Sequence, residues 1–423
     1  MGMKYRWYPK IRDRDVHSSP TPRLGGIAMF VGVLAAFVVA SRLPAFSVMF
    51  AEPAKIWGIL GAAALIVALG VADDLWDLDW YTKLAGQIIA AFILAWPGTQ
   101  LFTLPVPGGV LYNSGFFSLA LTVFVVVLVM NAVNFIDGLD GLVAGVAIIS
   151  NGVFFIYSYL ISTGPEAQTD YFNLGSFLAA AVIGVCIGFL PLNWPPAKLF
   201  MGDSGALLIG LLTATSTIAV TGSLDPCTIS TASCPAPGAT PASDILGGSG
   251  TLPAFIPILL PFAVLLVPLL DLGLAALRRL GAGKSPFSAD RKHLHHRLLD
   301  MGHSRLAATL IFYGWSAVAS VGLLMFLFVE WWWALVALLV GFLICAVVTL
   351  SPLSRRKAVE AAVQSLSEDE AVHAGVARYD PLDAAAVTDE LDRDAVAVVR
   401  ARVDEARASE GRDREERRRS TGG

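Results

Sequence analysis

The sequence predicts an all-α integral membrane protein, a polytopic helical bundle with about ten transmembrane helices. Two properties of the composition indicate this class: 55% of the 423 residues are hydrophobic and 15% are charged. The mean hydropathy is +0.65, whereas a water-soluble domain needs roughly 25% charged residues. A secreted disulfide-rich protein is excluded by the same numbers, and the net charge of −4 excludes a nucleic-acid-binding protein.

The apolar runs define the individual spans, since a bilayer core requires about 20 apolar residues per helix. The third and fourth runs are short, which predicts that one of them is tilted or re-entrant. The ten predicted spans are Leu24–Leu43, Ile56–Ala72, Leu84–Trp96, Phe116–Met130, Leu142–Ile161, Ser176–Leu192, Ala206–Val220, Ala254–Leu270, Leu306–Phe328 and Trp331–Leu350.

The distribution of Lys and Arg between loops predicts the orientation. One set of connections is rich in Lys and Arg, whereas segments 97–115, 163–175 and 223–252 of the other set have neither. Since positive loops stay in the cytoplasm, the first set and both termini are predicted to be cytoplasmic. The predicted domains are a cytoplasmic N-terminal loop (1–23), a transmembrane domain (24–350) and a charged cytoplasmic tail (351–423), partly disordered or helical.

The first polar cluster lies where the second span ends, in the segment VADDLWDLDWYTK. Its adjacent carboxylates repel each other, so they favour a divalent cation or raise the pKa of one carboxyl group. Magnesium suits sites made of oxygen atoms alone. An ordinary acidic loop is the alternative. The four carboxylates are Asp73, Asp74, Asp77 and Asp79.

The second cluster is NAVNFIDGLDGLVAG, at the inner end of the fourth span. Two carboxylates three residues apart share a face of a helical turn, and the glycines allow backbone N–H groups to approach an anion. A plain polar loop does not require two Asn and two Asp beside apolar spans, so we favour a functional role. The four polar residues are Asn131, Asn134, Asp137 and Asp140.

The third and fourth clusters flank later spans. Asp203, in KLFMGDSG, lies near a predicted helix N-terminus, which favours anions; a simple N-cap aspartate is the alternative. The segment ADRKHLHHRLLDMGHSR offers cations and hydrogen-bond donors for phosphate groups. A zinc site or a basic membrane-surface loop is the alternative there. Its principal side chains are His293, His295, His296 and Arg297.

Phosphoryl transfer requires carboxylates that bind Mg²⁺ and cations that bind phosphate, and this sequence offers both on one membrane face. The location in a membrane suggests that one reactant is a lipid. Two other classes remain open. DDLWD is an Asp-Asp-x-x-Asp pattern, as intramembrane prenyltransferases use, but that chemistry needs neither FMGDSG nor the His loop. Transporters place their acids near the bilayer midplane, often in repeated halves, and this sequence shows neither.

These motifs resemble those of the polyprenyl-phosphate N-acetylhexosamine-1-phosphate transferases, of the glycosyltransferase family 4 type. The resemblance covers nearly all of residues 15–325 and includes HSSPTPRLGG, DDLWD, NAVNFIDGLDGL, FMGDSG and HLHH, in the family's order. It implies transfer of a sugar-1-phosphate from a UDP-sugar to a polyprenyl phosphate, with release of UMP. Family members normally have a transmembrane helix before the PTPRLGG loop, and this chain begins in that loop.

The His-x-His-His loop is similar to that of the branch that uses UDP-N-acetylglucosamine (UDP-GlcNAc). The branch that uses UDP-N-acetylmuramoyl-pentapeptide usually shows three consecutive histidines, so Leu294 is the informative residue. The resemblance implies a cell-envelope enzyme of the inner (plasma) membrane with an undecaprenyl or decaprenyl carrier, Mg²⁺ (or Mn²⁺) as cofactor, a cytoplasmic active site and a homodimer. A phospho-N-acetylmuramoyl-pentapeptide transferase is the alternative.

The resemblance also implies roles for single residues. Asp73 would be the base for the lipid phosphate, and Asp74 and Asp203 would bind the metal. Phe200 would stack on uracil and Lys83 would lie near the lipid phosphate. The nucleotide, diphosphate and sugar would contact Asn131, Asn134, Asp137, Asp140, His293, His295, His296 and Arg297.

Overall fold

The structure is a computed structural model that describes residues 23–106, 109–112, 114–162, 170–221 and 303–351, and single residues between 273 and 301. The predicted span Ala254–Leu270 and nearly all of the tail 351–423 lie outside the described residues. The same holds for most of the N-terminal loop 1–23. The domain boundaries therefore stay predictions.

The described part of the chain is a helical membrane bundle. Seven of its helices are long and apolar enough to cross a membrane, and α1 and α3 are shorter apolar helices of 16 residues each. Nine of the ten predicted spans coincide with a helix, so the multi-pass helical class is confirmed and the count of ten is not. The helices are α1 Gly25–Ala40, α2 Pro53–Trp76, α3 Trp80–Ala95, α4 Gly115–Ile136, α5 Leu142–Ser162, α6 Asp170–Asn193, α7 Gly202–Thr221, α8 Arg305–Leu324 and α9 Trp331–Leu350.

Helix α4 differs from the short span that the sequence predicted. It has 22 residues and is therefore roughly 33 Å long at 1.5 Å per residue. The Ser114 hydroxyl caps it by accepting the Phe117 N–H at 3.4 Å. The prediction ended at Met130 because polar residues follow, yet Asn131 and Asn134 occupy its last turns.

A short antiparallel hairpin links α3 to α4, which the all-α prediction did not include. Strands β1 (Thr103–Val106) and β2 (Gly109–Tyr112) pair with Val106 opposite Gly109. The sequence carries a signal for it, since Pro107-Gly108 separates two runs with β-branched residues. The hairpin lies at the end of the bundle opposite the α2–α3 connection.

Helix α7 lies at the centre of the bundle, with 94% of its most apolar stretch buried inside the protein. It packs against α1, α2, α4 and α6. Small residues bring the backbones close together, as in other membrane helix pairs. A Cβ on Gly70 of α2 would overlap the Cα of Ser204, and one on Gly210 would lie 2.7 Å from the Cα of Met130. The start of α7 is therefore fixed against α2.

The replacement Gly70→Ala is expected to lower the apparent melting temperature in detergent, because the new methyl group overlaps the α7 backbone. Overpacking of this kind typically costs about 1–3 kcal/mol. Gly184→Ala on α6 is the matched control, since nothing lies within 4 Å of its added Cβ. Fluorescence-detected thermal unfolding measures both variants. Equal melting of the two would contradict the close α2–α7 packing.

Candidate active site

Polar residues from four helices meet at one end of the bundle. Asp73 and Asp74 lie in the last turn of α2, Lys83 in the first turn of α3, and Asp203 in the first turn of α7. Asp137 directly follows α4. Because these helices are packed side by side with alternating direction, the structure brings the predicted acidic residues together.

The corner between α2 and α3 orients Asp73. The Asp73 Oδ1 atom accepts the Leu78 N–H at 2.9 Å, and the Asp73 carbonyl accepts the Asp77 N–H at 2.9 Å. Asp77 ends the helix in the left-handed conformation with φ 54°, which aspartate tolerates better than most residues. The hydrogen bond to Leu78 leaves the second carboxylate oxygen of Asp73 to face α3.

Lys83 joins two carboxylates. Its Nζ atom lies 2.5 Å from Asp73 Oδ2 and 3.5 Å from Asp203 Oδ2. The Asn134 side chain also acts on the Asp203 carboxylate, so α2, α3, α4 and α7 all contribute to this site. The Asp203 side chain is 33% exposed, against 8% for Asp73. Asp203 therefore offers the more accessible carboxylate of this pair.

Asp137 belongs to the same electrostatic environment. Its pKa is raised to about 7, first by burial and then by the negative charge of Asp203. The positive charge of Arg23 opposes this shift, and Asp140 adds to it. Near neutral pH the Asp137 carboxyl is consequently protonated in part, and a nearby cation would favour its ionised form.

Asn131 and Asp140 make hydrogen bonds that connect different parts of the protein. The Asn131 amide donates to Gln87 Oε1 at 2.5 Å and to the Val127 carbonyl at 2.8 Å, which links α4 to α3. The buried Asp140 carboxylate accepts the Ala197 N–H at 3.1 Å, in the loop between α6 and α7. Contact of either residue with substrate stays a prediction.

The loop before α7 is fixed to the start of α1. The Phe200 carbonyl accepts the Gly25 N–H and the Met201 carbonyl accepts the Gly26 N–H, each at 3.1 Å. The half-buried Phe200 side chain therefore lies near the entrance to α7. Stacking on a base stays a prediction for it.

Two residues of this region were not among the predicted site residues. Arg23 immediately precedes α1, and its charge acts on both Asp74 and Asp137. Gln87 lies one turn after Lys83 on the same face of α3. The signal for Arg23 was its place in the PTPRLGG motif, and that for Gln87 was its polarity in an apolar helix.

The predicted phosphate-binding loop lies outside the described residues, and this applies to His293, His295, His296 and Arg297. In the part that the structure does describe, no three His, Cys, Asp or Glu side chains form a metal-binding group. The roles of these four residues stay predictions.

Comparison with known proteins gives consistent matches. The family model described as glycosyl transferase family 4 matches residues 56–221, a range that includes Asp73, Lys83 and Asp203. A decaprenyl-phosphate N-acetylglucosaminephosphotransferase of Mycolicibacterium smegmatis is 38% identical over 352 residues, covering 82% of each chain.

Two further relatives match over shorter ranges. A probable undecaprenyl-phosphate N-acetylglucosaminyl 1-phosphate transferase of Bacillus subtilis is 32% identical over 71% of this chain and 72% of its own. A phospho-N-acetylmuramoyl-pentapeptide-transferase of Desulfitobacterium hafniense is 32% identical over 47% of this chain and 61% of its own. The longer matches are those to the N-acetylglucosamine enzymes.

Proposed function

Because the chain belongs to glycosyl transferase family 4, we propose that it transfers N-acetylglucosamine-1-phosphate to a polyprenyl phosphate. The donor is UDP-GlcNAc, and the products are polyprenyl-diphosphate-GlcNAc and UMP. The observation that carries this proposal is the 38% identity to decaprenyl-phosphate N-acetylglucosaminephosphotransferases over 82% of the chain. The muramoyl-pentapeptide enzymes match a shorter range and give the second candidate function.

The site geometry supports this chemistry. A lipid phosphate oxygen attacks the β-phosphorus of UDP-GlcNAc, a new P–O bond forms, and the bond from the β-phosphorus to the bridging oxygen breaks as UMP leaves. Both reactants are anionic, so a cation that approaches them lowers their repulsion. The Lys83 side chain is 29% exposed, and its ammonium group would attract the lipid phosphate. Asp73, beside it, would accept the proton of that phosphate.

Magnesium fits the donor set. Mg²⁺ is usually held by one or two carboxylates together with substrate phosphates, so a three-carboxylate cage is not required. Asp203 would hold the ion through its half-buried carboxylate, the more accessible of the two, with Asp73 beside it. Mn²⁺ is the natural substitute. Bound there, the cation would neutralise charge on the diphosphate and on the leaving UMP.

The loop charges support the proposed orientation. Lys83 and Lys198 lie at the end of the bundle that carries the carboxylates, and the hairpin Thr103–Tyr112 lies at the opposite end. Positive loops remain cytoplasmic, which supports a cytoplasmic active site in the inner (plasma) membrane. A homodimer stays a prediction from the family resemblance.

The test is an assay of the purified protein in detergent with Mg²⁺, decaprenyl or undecaprenyl phosphate, and UDP-GlcNAc labelled in the sugar. We expect labelled lipid and an equal amount of UMP. UDP-N-acetylmuramoyl-pentapeptide serves as the competing donor. Transfer from that donor alone would replace the proposed function by the second candidate, and no transfer from either would refute both.

A further inference from the structure

Helix α7 follows a residue whose side chain carries no oxygen atom that could cap it. It begins at Gly202 and follows Met201, whose thioether is at best a weak hydrogen-bond acceptor. The first N–H groups of an α-helix have no partner within the helix and normally receive a side-chain oxygen from the residue before it. Since Asp203 is the second residue of α7, the position of its carboxylate depends on how this first turn is held.

Asp74 supplies the missing oxygen from a different helix. Its Oδ1 atom accepts the N–H of Asp203 at 3.4 Å, and the backbone N–H of Ser204 also acts favourably on this carboxylate. These are the second and third residues of α7, whose N–H groups a capping side chain normally satisfies. A carboxylate there is also favoured by the positive end of the helix dipole.

The packing of α2 on α7 makes this contact achievable. Gly70 lies one turn before Asp74 on the same face of α2, and its Cα is packed against the backbone of Ser204. Gly202 has φ +71°, and a Cβ there would lie 2.5 Å from Asp74 Oδ2. Two glycines thus bring the Asp74 carboxylate to the start of α7.

The two carboxylates differ in their access to a ligand. Asp74 is 8% exposed, and its Oδ2 atom is enclosed, without a hydrogen-bond partner among the described residues. The Asp203 side chain is 33% exposed. The environment of Asp74 thus resembles a helix cap more than an open coordination site.

From these contacts we infer that Asp74 is a positioning residue that caps α7 from α2 and thereby holds the Asp203 carboxylate in place. The sequence had predicted Asp74 as a second metal ligand; here it acts on the site through Asp203. The inference rests on the proposed function for its catalytic consequence, whereas the capping contact itself can be measured without any substrate.

The decisive experiment measures thermal unfolding in detergent with EDTA, for the wild type and for Asp74→Ala, Asp74→Asn and Asp203→Asn. A cap predicts that Asp74→Ala melts lowest, and that Asp74→Asn recovers most of the loss because Asn caps about as well as Asp. If Asp74 were a metal ligand alone, its removal would relieve repulsion among the carboxylates in the metal-free protein. Asp74→Ala melting at or above the wild type would therefore overturn the inference.

A second measurement applies even where Asp74→Ala cannot be purified folded. Mn²⁺ binding, followed by electron paramagnetic resonance without substrates, compares Asp74→Asn with Asp203→Asn. We expect Asp74→Asn to bind Mn²⁺ within about threefold of the wild type and Asp203→Asn to bind at least about tenfold more weakly. Equal losses in both variants would make Asp74 a ligand and overturn the inference. A wild type that unfolds as described but transfers no sugar phosphate would refute the proposed function alone.

Discussion

Replacing Asp203 by Asn is expected to lower the transferase kcat by at least about a hundredfold, the usual cost of removing a preorganised charge from an active site. The half-buried Asp203 carboxylate is more accessible than those of Asp73 and Asp74, and it lies 3.5 Å from the Lys83 Nζ atom. Asn keeps the size of the side chain and removes its charge, so the first turn of α7 is preserved. Single-turnover transfer from labelled UDP-GlcNAc at saturating Mg²⁺ measures the loss.

Asp79→Asn is the matched control for this change. Asp79 is exposed at the same end of the bundle and accepts a hydrogen bond from the Tyr81 hydroxyl at 2.7 Å. The control therefore removes one negative charge from the same membrane face and is expected to keep the transfer rate within about twofold, since surface charges contribute little. Similar losses in the two variants would show that overall charge, rather than Asp203, supports the reaction.

The sequence predicted the membrane class, and it also predicted that the acidic clusters lie at one end of the helices, for physical reasons. Apolar runs long enough to cross a bilayer have few alternatives to the helix, because lipid cannot hydrogen-bond the backbone. Charged groups at membrane depth are energetically costly, so those that are present usually mark a functional site. Asp73, Asp137 and Asp203 therefore stood out individually, and the alternating direction of the spans implied that they would meet.

The sequence could not predict which way each carboxylate faces. Adjacent residues on a helix point about 100° apart, so Asp73 and Asp74 cannot both face Lys83. The direction of each is decided by packing, here by Gly70 against Ser204. Likewise, the sequence could not predict that the Asn131 amide donates a hydrogen bond to Gln87, 44 residues away.

The positions of helix ends were the other feature that the sequence patterns did not predict. Hydrophobicity ended the fourth span at Met130, yet the backbone continues for six more residues to Ile136. Polar side chains remain compatible with a helix once they face partners rather than lipid, as Asn134 does toward Asp203. The polar end of α4 thereby becomes a wall of the site.

Lys83→Met is expected to have two opposite effects, on catalysis and on cation binding. It should lower kcat/KM for the polyprenyl phosphate by about a hundredfold, since a cation aimed at the reacting phosphate is lost. It should also lower the Mg²⁺ concentration needed for half-maximal activity, because the Lys83 ammonium competes for oxygens of Asp73 and Asp203. Titration of lipid phosphate and of Mg²⁺ in the transfer assay measures both.

The opposite signs separate this role of Lys83 from a general loss of structure, which would weaken lipid and metal binding together. Lys198→Met removes the same charge from an exposed position at the same end of the bundle and serves as the control. Lys83→Arg should restore part of kcat/KM, because a guanidinium group can reach two carboxylates but differs from an ammonium group in shape. If Lys83→Met gave the same two titrations as Lys198→Met, Lys83 would not contact the lipid phosphate. Its ion pairs would then serve only to connect α3 with α2 and α7.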